Sequence, residues 1–302
     1  MGRIRFIATL PFIATLCACH AIVLNPSGDV AQQQRDLLVY STELMLIVIV
    51  PVMVMTVLFA WRYRQSNRAA RYEPDWDHSI HLELFIWAAP LLIIIGLGGL
   101  TWVGTHLLDP YRTLGRIKPG ESMAHAASPL QVDVVALDWK WLFIYPQYGV
   151  ATVNELAAPL DRPIEFRITA ASVMNSLFIP ALAGQIYAMP GMETRLHAVA
   201  NTAGDFEGFS ANYSGAGFSD MRFMFRALVD RDFDQWLAHL RAGGGALGRS
   251  DYLRLEQPSE KEPVQGFAAV DPGLYPAILN RCVEAGKLCV NDMMALDAKS
   301  GL

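Results

Sequence analysis

The sequence predicts a membrane α + β protein, with two transmembrane helices, an outward β-sandwich and C-terminal helices. Three observations predict it: two long uncharged apolar runs, then short alternating segments, then a helical period from about residue 230. Hydrophobic residues make up 53% of the chain and charged residues 18%, whereas charged residues are about a quarter of an ordinary soluble domain. The net charge of −5 lacks the basic footprint of a nucleic-acid-binding protein.

The N-terminal segment predicts a lipoprotein signal peptide over residues 1–18. Arg3 and Arg5 precede a short apolar stretch that ends in Leu16-Cys17-Ala18-Cys19, and a basic start followed by a short apolar run is typical of a secretory signal. Small residues before Cys19 resemble a bacterial lipobox, which would place the lipid on Cys19. An uncleaved anchor with two incidental cysteines is the alternative.

Two apolar runs predict the two-helix membrane domain, residues 19–110. Leu44–Trp61 and Leu84–Leu108 contain no Asp, Glu, Lys or Arg, and each is long enough to cross a hydrocarbon core of about 30 Å. The positive-inside rule makes the connecting loop cytoplasmic, because four arginines follow the first run. They are Arg62, Arg64, Arg68 and Arg71.

Alternating segments between residues 111 and 230 predict an outward β-sandwich. Strands are expected at 131–136, 163–169, 194–200 and 221–229, with Gly and Pro between them, and several short strands separated by turn residues are typical of a sandwich. A C-terminal helical extension is predicted over residues 231–302. Its first helix is expected to be N-capped by Asp230, a break is expected at 243–245, and a second helix at 271–285.

Four motifs resemble subunit II of the haem–copper respiratory oxidases, over residues 16–280. Along the chain they are Glu83-x-x-x-Trp87-x-x-Pro90, Asp138-Trp139-Lys140-Trp141, Val173-Met174-Asn175-Ser176 with Ala188-Met189-Pro190-Gly191-Met192, and Ser210 to Met221. The resemblance implies that the outward domain is cupredoxin-like.

The last two motifs match loops that hold a dinuclear copper centre in copper-bearing family members. Such a centre uses thiolate and imidazole ligands, which suit copper. In this sequence a hydroxyl, an amide or a phenyl group stands at all but one ligand position, and a single thioether does not hold copper. We therefore predict no metal and no redox cofactor in this chain. The replaced positions are Asn175, Ser210, Asn212, Ser214 and Phe218, and Met221 is retained.

A copper loop that keeps its length but lacks its ligands resembles the bo-type ubiquinol oxidases. This resemblance implies that ubiquinol passes electrons directly to subunit I, which would carry the haems and copper, reduce oxygen and pump protons. This chain would then be a scaffold or assembly subunit, with subunits I, III and IV as partners, in the bacterial inner membrane with its domain periplasmic. Two alternatives are a copper-bearing cytochrome c oxidase subunit, against which the ligand positions argue, and a stand-alone binding lipoprotein or copper chaperone.

Individual residues carry further expectations. The resemblance places Glu83 at the entrance of a proton channel of subunit I, with a water-exposed interfacial carboxylate as the alternative, and Glu43 is expected to meet the outer interface. Trp139 and Trp141 are expected on one side of a strand, in contact with subunit I. The replaced copper loop is expected to be hydrogen-bonded and filled by apolar side chains, with a residual quinone or peptide site as a further reading.

The remaining cysteines and histidines predict less. Cys282 and Cys289 face an oxidising compartment, where disulfides form, and their spacing leaves both a disulfide and free thiols open. Three histidines of the outward part match no ligand position and are expected to have surface or structural roles. They are His125, His197 and His239.

Overall fold

The structure, a computed structural model, describes residues 21–71, 73–123 and 128–300. Cys17, Cys19 and His125 lie outside the described residues. The described residues up to Gln32 form one compact unit together with those from Pro110 onwards, and Gln33–Asp109 forms another. The part beyond residue 230, predicted as a C-terminal helical extension, belongs to the same compact unit as the sandwich.

The two predicted spans lie in two long helices, α1 (Asp29–Arg62) and α2 (Ile80–Leu107). Both are long and apolar enough to cross a membrane. Pro51 lies inside α1 and Pro90 inside α2. Proline removes a backbone donor, and transmembrane helices tolerate it where neighbouring groups satisfy the freed carbonyl.

The β-rich part of the chain consists of two main sheets, and the four strand predictions are confirmed. The strands of the described part of the chain are β1 Arg116–Lys118, β2 Glu121–Ser122, β3 Leu130–Leu137, β4 Lys140–Tyr145, β5 Val150–Val153, β6 Glu155–Pro159, β7 Ile164–Ala170, β8 Asn175–Phe178, β9 Ile186–Ala188, β10 Thr194–Ala198, β11 Gly204–Ser210, β12 Arg222–Leu228, β13 Gly245–Leu247 and β14 Gln265–Val270. One sheet has the order β10-β7-β3-β4-β5-β14-β13, the other has the order β6-β12-β11-β8-β9, and β1 pairs with β2.

Alternate side chains of β4 point into two different cores. Trp141 and Phe143 pack against Phe223 of the facing sheet, with ring centroids 5.8 and 4.9 Å apart. Leu142 and Ile144 belong to a second apolar cluster on the opposite face of the same sheet. Because β4 is covered on both faces, it forms a continuous apolar run rather than an alternating one.

The second cluster is built by the C-terminal part of the chain. The helices of this C-terminal part are α3 (Asp230–Gly243), α4 (Arg249–Leu255), α5 (Leu274–Leu279) and α6 (Val290–Ser300). Side chains from α4 and α5 pack on strands β3, β4 and β5. We call this C-terminal layer of the sheet the aromatic layer, defined by its buried residues Leu247, Tyr252, Leu274, Tyr275, Ala277, Ile278, Cys282 and Val283.

Several local predictions in the C-terminal part were wrong. Residues 243–245 are not simply a break, because Gly245 begins β13, which pairs with β14. A Cβ at Gly244 would lie 2.4 Å from the backbone nitrogen of Ala268, so only glycine permits this approach. The second predicted helix is limited to α5. Asp230 is the first residue of α3 rather than its N-cap, which is Val229.

A disulfide joins Cys282 to Cys289. The spacing of these residues left both a disulfide and free thiols open, and the structure contains the disulfide. The two Cα atoms are 4.8 Å apart. Cys282 is buried in the aromatic layer, and the Val290 backbone nitrogen donates to the Asn280 carbonyl at 3.0 Å. These links fix the start of α6 against the domain.

The segment before α1 is bound to the sandwich. The backbone nitrogens of Ser27 and Gly28 both donate to the Ala181 carbonyl, at 2.7 and 2.9 Å. Buried Asp29 accepts from Arg116 at 2.9 Å. These contacts attach the first residue of α1 to the β-rich domain.

Candidate functional site

The replaced copper-ligand positions lie together where three loops meet at one end of the sandwich. These loops are the turn between β3 and β4, the segment before β8, and the connection from β11 to β12. β8 and β11 are neighbouring antiparallel strands, with Leu177 opposite Ser210. This pairing brings Asn175 and Ser210 close together although 35 residues separate them in sequence.

Hydrogen bonds connect three of the replaced positions. The Ser210 hydroxyl lies 3.1 Å from Asn175 Oδ1 and 3.2 Å from the Asn212 carbonyl, either of which can accept its single proton. The Asn212 amide donates to the Met174 carbonyl at 3.1 Å. Asn175 and Ser210 are buried, so these bonds satisfy groups that would otherwise be costly to bury.

The other replaced positions bring apolar contacts. Met221 is fully buried, and its sulfur lies 4.0 Å from the Ser214 hydroxyl. Half-buried Phe218 packs edge-on against Tyr213, with ring centroids 5.6 Å apart. The described residues thus form the hydrogen-bonded loop with apolar filling that the sequence predicted.

Trp139 covers this loop from the neighbouring turn. It has a positive φ of 66°, so it lies in a turn, and the expectation that it shares a strand face with Trp141 was wrong. Its indole nitrogen donates to the Ser214 carbonyl at 3.1 Å. A Cβ at Gly217 would lie 2.6 Å from the indole ring, so the flat packing of this ring requires glycine there.

Trp141 has a different environment. Its side chain is 0% exposed and packs in the sandwich core, so it is not available for the predicted contact with another subunit. Its indole nitrogen has no hydrogen-bond partner among the described residues. Half-buried Trp139 remains a candidate contact residue.

This donor set does not fit a dinuclear copper centre. Two hydroxyls stand where bridging thiolates are needed, and neither Phe218 nor Asn175 offers an imidazole. No group of three or more His, Cys, Asp or Glu side chains in the described ranges is arranged to hold a metal ion. What this end of the sandwich offers chemically is a bonded, partly apolar surface.

A cleft of about 340 Å³ borders the same loop. Its lining combines aromatic rings with polar groups, and Arg222 lies over the Phe209 ring at 5.7 Å. The residual quinone or peptide site considered from the sequence would lie here and remains a prediction. The lining residues are Phe178, Gln185, Phe209, Ser210, Ala211, Phe218, Ser219, Met221 and Arg222.

Lys140, within the aromatic segment, has a role that sequence reasoning missed. Its side chain is only 1% exposed, and the ammonium donates to the Gln257 carbonyl at 2.8 Å and to the Ser259 hydroxyl. Burial lowers the pKa of this ammonium below its ordinary value, while Glu262 and Asp138 oppose that shift. Lys140 therefore attaches the C-terminal chain to β4, a link between distant residues that no local motif reveals.

Glu83 lies in the first turn of α2, as its motif predicted. Its carboxylate is 2.7 Å from His78 Nδ1, and both side chains are exposed. His78 was not singled out from the sequence, although its five-residue spacing from Glu83 allows this contact. Of the histidines expected to be structural, His197 lies 3.1 Å from the Pro110 carbonyl, and His239 is exposed.

Known proteins similar to this chain support the predicted family. The chain is 47% identical to the cytochrome bo(3) ubiquinol oxidase subunit 2 of Pseudomonas putida over 279 residues, 92% of this chain and 86% of that protein. It is 45% identical to the ubiquinol oxidase subunit 2 of Acetobacter aceti over 301 residues, 100% of this chain and 93% of that protein. The similarity therefore extends beyond the predicted range of 16–280.

A family model and a solved structure match parts of the chain. Residues 241–286 match the COX Aromatic Rich Motif, a range that contains every residue by which the aromatic layer is defined. The periplasmic domain of subunit II of cytochrome oxidase (CoxB) of Bradyrhizobium japonicum is 23% identical, with a TM-score of 0.35, over 36% of this chain and 91% of that domain.

Two apolar helices followed by a sandwich with a copper-loop register define the class of haem–copper oxidase second subunits. Within that class, this chain belongs to the ubiquinol oxidase subunit 2 family, because identities above 40% extend over most of both chains. The predicted family, the fold class of two apolar helices followed by a β-sandwich with C-terminal helices, and the role as a terminal oxidase subunit are confirmed.

Proposed function

We propose that this chain is the redox-inactive second subunit of a proton-translocating ubiquinol oxidase, and that it acts as a scaffold and assembly subunit on subunit I. One observation carries the proposal: Ser210 and Asn175, at two ligand positions, are buried and bonded to each other. Electrons then have no path through this domain. Ubiquinol would instead be oxidised at subunit I, which would hold the haems and copper.

The end of the sandwich that carries the replaced ligand positions is the proposed docking surface for subunit I. We call it the loop end, defined by Trp139, Val173–Asn175 and Ser210–Met221. Tyr213 is 75% exposed there, and Val173 and Met174 expose apolar side chains beside it. Large exposed apolar groups clustered at one place are typical of protein contacts. Trp139 would hold the loop in position under this surface. Subunits III and IV are the further proposed partners.

Location and proton supply follow from the membrane part. We place the protein in the bacterial inner membrane, with a lipid on Cys19 and the sandwich in the periplasm, because the arginines after α1 favour a cytoplasmic loop. Glu83 would then lie at the cytoplasmic side, at the entrance of the proton channel of subunit I. His78, within hydrogen-bonding distance, would hold its carboxylate in place.

The test is oxygen uptake by the complex purified in mild detergent through a tag on this chain. Haem should co-purify, and the complex should respire on ubiquinol but not on reduced cytochrome c. Activity on cytochrome c would contradict the proposal. A tagged chain without haem would instead favour the stand-alone lipoprotein.

A second experiment tests whether only the ligands are missing. Replacing Asn175 and Phe218 by His, Ser210 and Ser214 by Cys, and Asn212 by Glu should create a copper site, because these positions already meet in the structure. Copper analysis and thiolate-to-copper absorption measure the gain, with the unaltered chain as the matched control. Equal copper in both proteins would show that the register is wrong.

A further inference from the structure

The hairpin of α1 and α2 has a defined register. A Cβ at Gly104 would lie 3.0 Å from the Leu37 side chain, and one at Gly96 would lie 4.0 Å from the Leu44 side chain. Residues 37 and 44 of α1 are therefore level with residues 104 and 96 of α2. Glu43, one residue before Leu44, is consequently level with the turn of α2 at Gly96, not with the outward end of α2.

This register places Glu43 below the outer membrane interface. Tyr40 and Trp102 lie at similar levels and suit the outer aromatic belt. At 1.5 Å per residue, Glu43 lies about 4.5 Å farther into the membrane than Tyr40. A hydrocarbon core of about 30 Å corresponds to about 20 helical residues. Counted outward from Arg62, it therefore also ends near residue 42. The carboxylate is thus in the outer edge of the apolar region, deeper than the sequence alone suggested.

Glu43 also faces away from α2. Half-buried Ser41, Leu44 and Val48 recur at helical spacing and mark the side of α1 that packs on α2. Glu43 lies about 130° around the helix from them and is exposed. Its neighbours on that side are apolar, with Ile47 61% exposed. Within the described ranges, its carboxylate has no hydrogen bond or ion pair.

A carboxylate at this depth is unfavourable against lipid, and ionisable residues inside membranes generally pair with another group or line a water-filled path. We propose that Glu43 forms an ion pair with a basic side chain, Arg or Lys, in the outer half of a partner membrane subunit. The opposite charge satisfies the carboxylate, and the surrounding apolar stripe of α1 packs on the same partner. This inference rests on the proposed function, since it requires a membrane partner.

Variants of Glu43 test the ion pair through assembly. In Glu43→Lys, we expect the haem recovered per tagged chain to fall by about tenfold, because the pair becomes a repulsion. In Glu43→Gln, the haem recovered per tagged chain should fall by about threefold, since the side chain keeps a hydrogen-bond acceptor but loses the charge. The matched control is Met45→Lys, on another exposed side of α1 and about 3 Å deeper, which should retain most of the haem. Unchanged haem in Glu43→Lys, or an equal loss in the control, would overturn the proposal.

A chemical readout separates this proposal from the proposed function. The apolar reagent dicyclohexylcarbodiimide should modify Glu43 at least about fivefold more slowly in the complex than in the isolated chain, because the partner shields it. Equal rates would mean that the residue faces lipid. Rapid modification in the complex by a water-soluble carbodiimide would mean a water-filled path. Either result overturns the ion pair, whereas failure of the complex to oxidise ubiquinol overturns only the proposed function.

Discussion

The loop end and the aromatic layer belong to one domain but are stabilised by different forces. At the loop end, buried and half-buried side chains are held by single hydrogen bonds and by one indole lying on glycines. In the aromatic layer, rings and aliphatic side chains fill a second core behind the sheet. Burial of apolar surface contributes more than an individual hydrogen bond. The loop end should therefore tolerate substitution, whereas the aromatic layer should not.

The largest expected effect compares two tyrosines. Tyr252→Ala, in the aromatic layer, removes a fully buried ring and should lower the free energy of unfolding by about 3–5 kcal/mol. Tyr213→Ala, at the loop end, removes an exposed ring and should cost about 1 kcal/mol or less. Urea unfolding of the full chain in detergent, followed by tryptophan fluorescence, measures both. Equal losses would remove the distinction between the two regions.

The next effect tests the packing of Trp139 on the loop. Gly217→Ala should cost about 1–3 kcal/mol, because the added methyl group meets the indole ring. In a Trp139→Leu background the same change should cost at most about half as much. The control is Gly243→Ala, where a Cβ meets nothing within 4 Å. If the cost is independent of residue 139, the ring is not what requires glycine.

The hydrogen bond at the replaced ligand positions should have a smaller effect. Ser210→Ala leaves the buried Asn175 oxygen without this donor and should cost about 0.5–1.5 kcal/mol. Exposed Ser219 gives the control, since Ser219→Ala should change stability by less than about 0.5 kcal/mol. A neutral Ser210→Ala would indicate that the loop is held by its apolar contacts alone.

The same two regions show how much the sequence could predict. The loop end was predicted residue by residue, because its motif preserves the spacing of the copper ligands from Ser210 to Met221. The aromatic layer was not, because β4 lies between two cores, and continuous burial removes the alternation that identifies a half-buried strand. Trp141 was misplaced for the same reason. A positive φ at Trp139 and the burial of Lys140 depend on contacts with residues far away in sequence.

The smallest expected effect concerns the link between the two regions through Lys140. Burial lowers the pKa of this ammonium in the folded state below its ordinary value of 10.5, so the unfolded chain binds more protons as pH approaches that value. Stability from this group therefore rises with pH across the window between the two pKa values. Lys140→Met lacks this contribution, so the stability of the unaltered protein relative to the variant should increase from pH 7 to 10, by less than about 1.4 kcal/mol per pH unit.

Lys118 gives the control of opposite sign. Its hydrogen bond to Asp161 raises the pKa of its ammonium above the ordinary value, so its contribution is fully present below pH 10.5 and is lost only as pH rises further. Stability relative to Lys118→Met should therefore stay constant from pH 7 to 10 in the same urea series. If both lysines gave the same pH dependence, the effect at Lys140 would be a property of net charge. A rise confined to Lys140 would show that this ammonium is buried between the aromatic segment of β4 and the C-terminal chain.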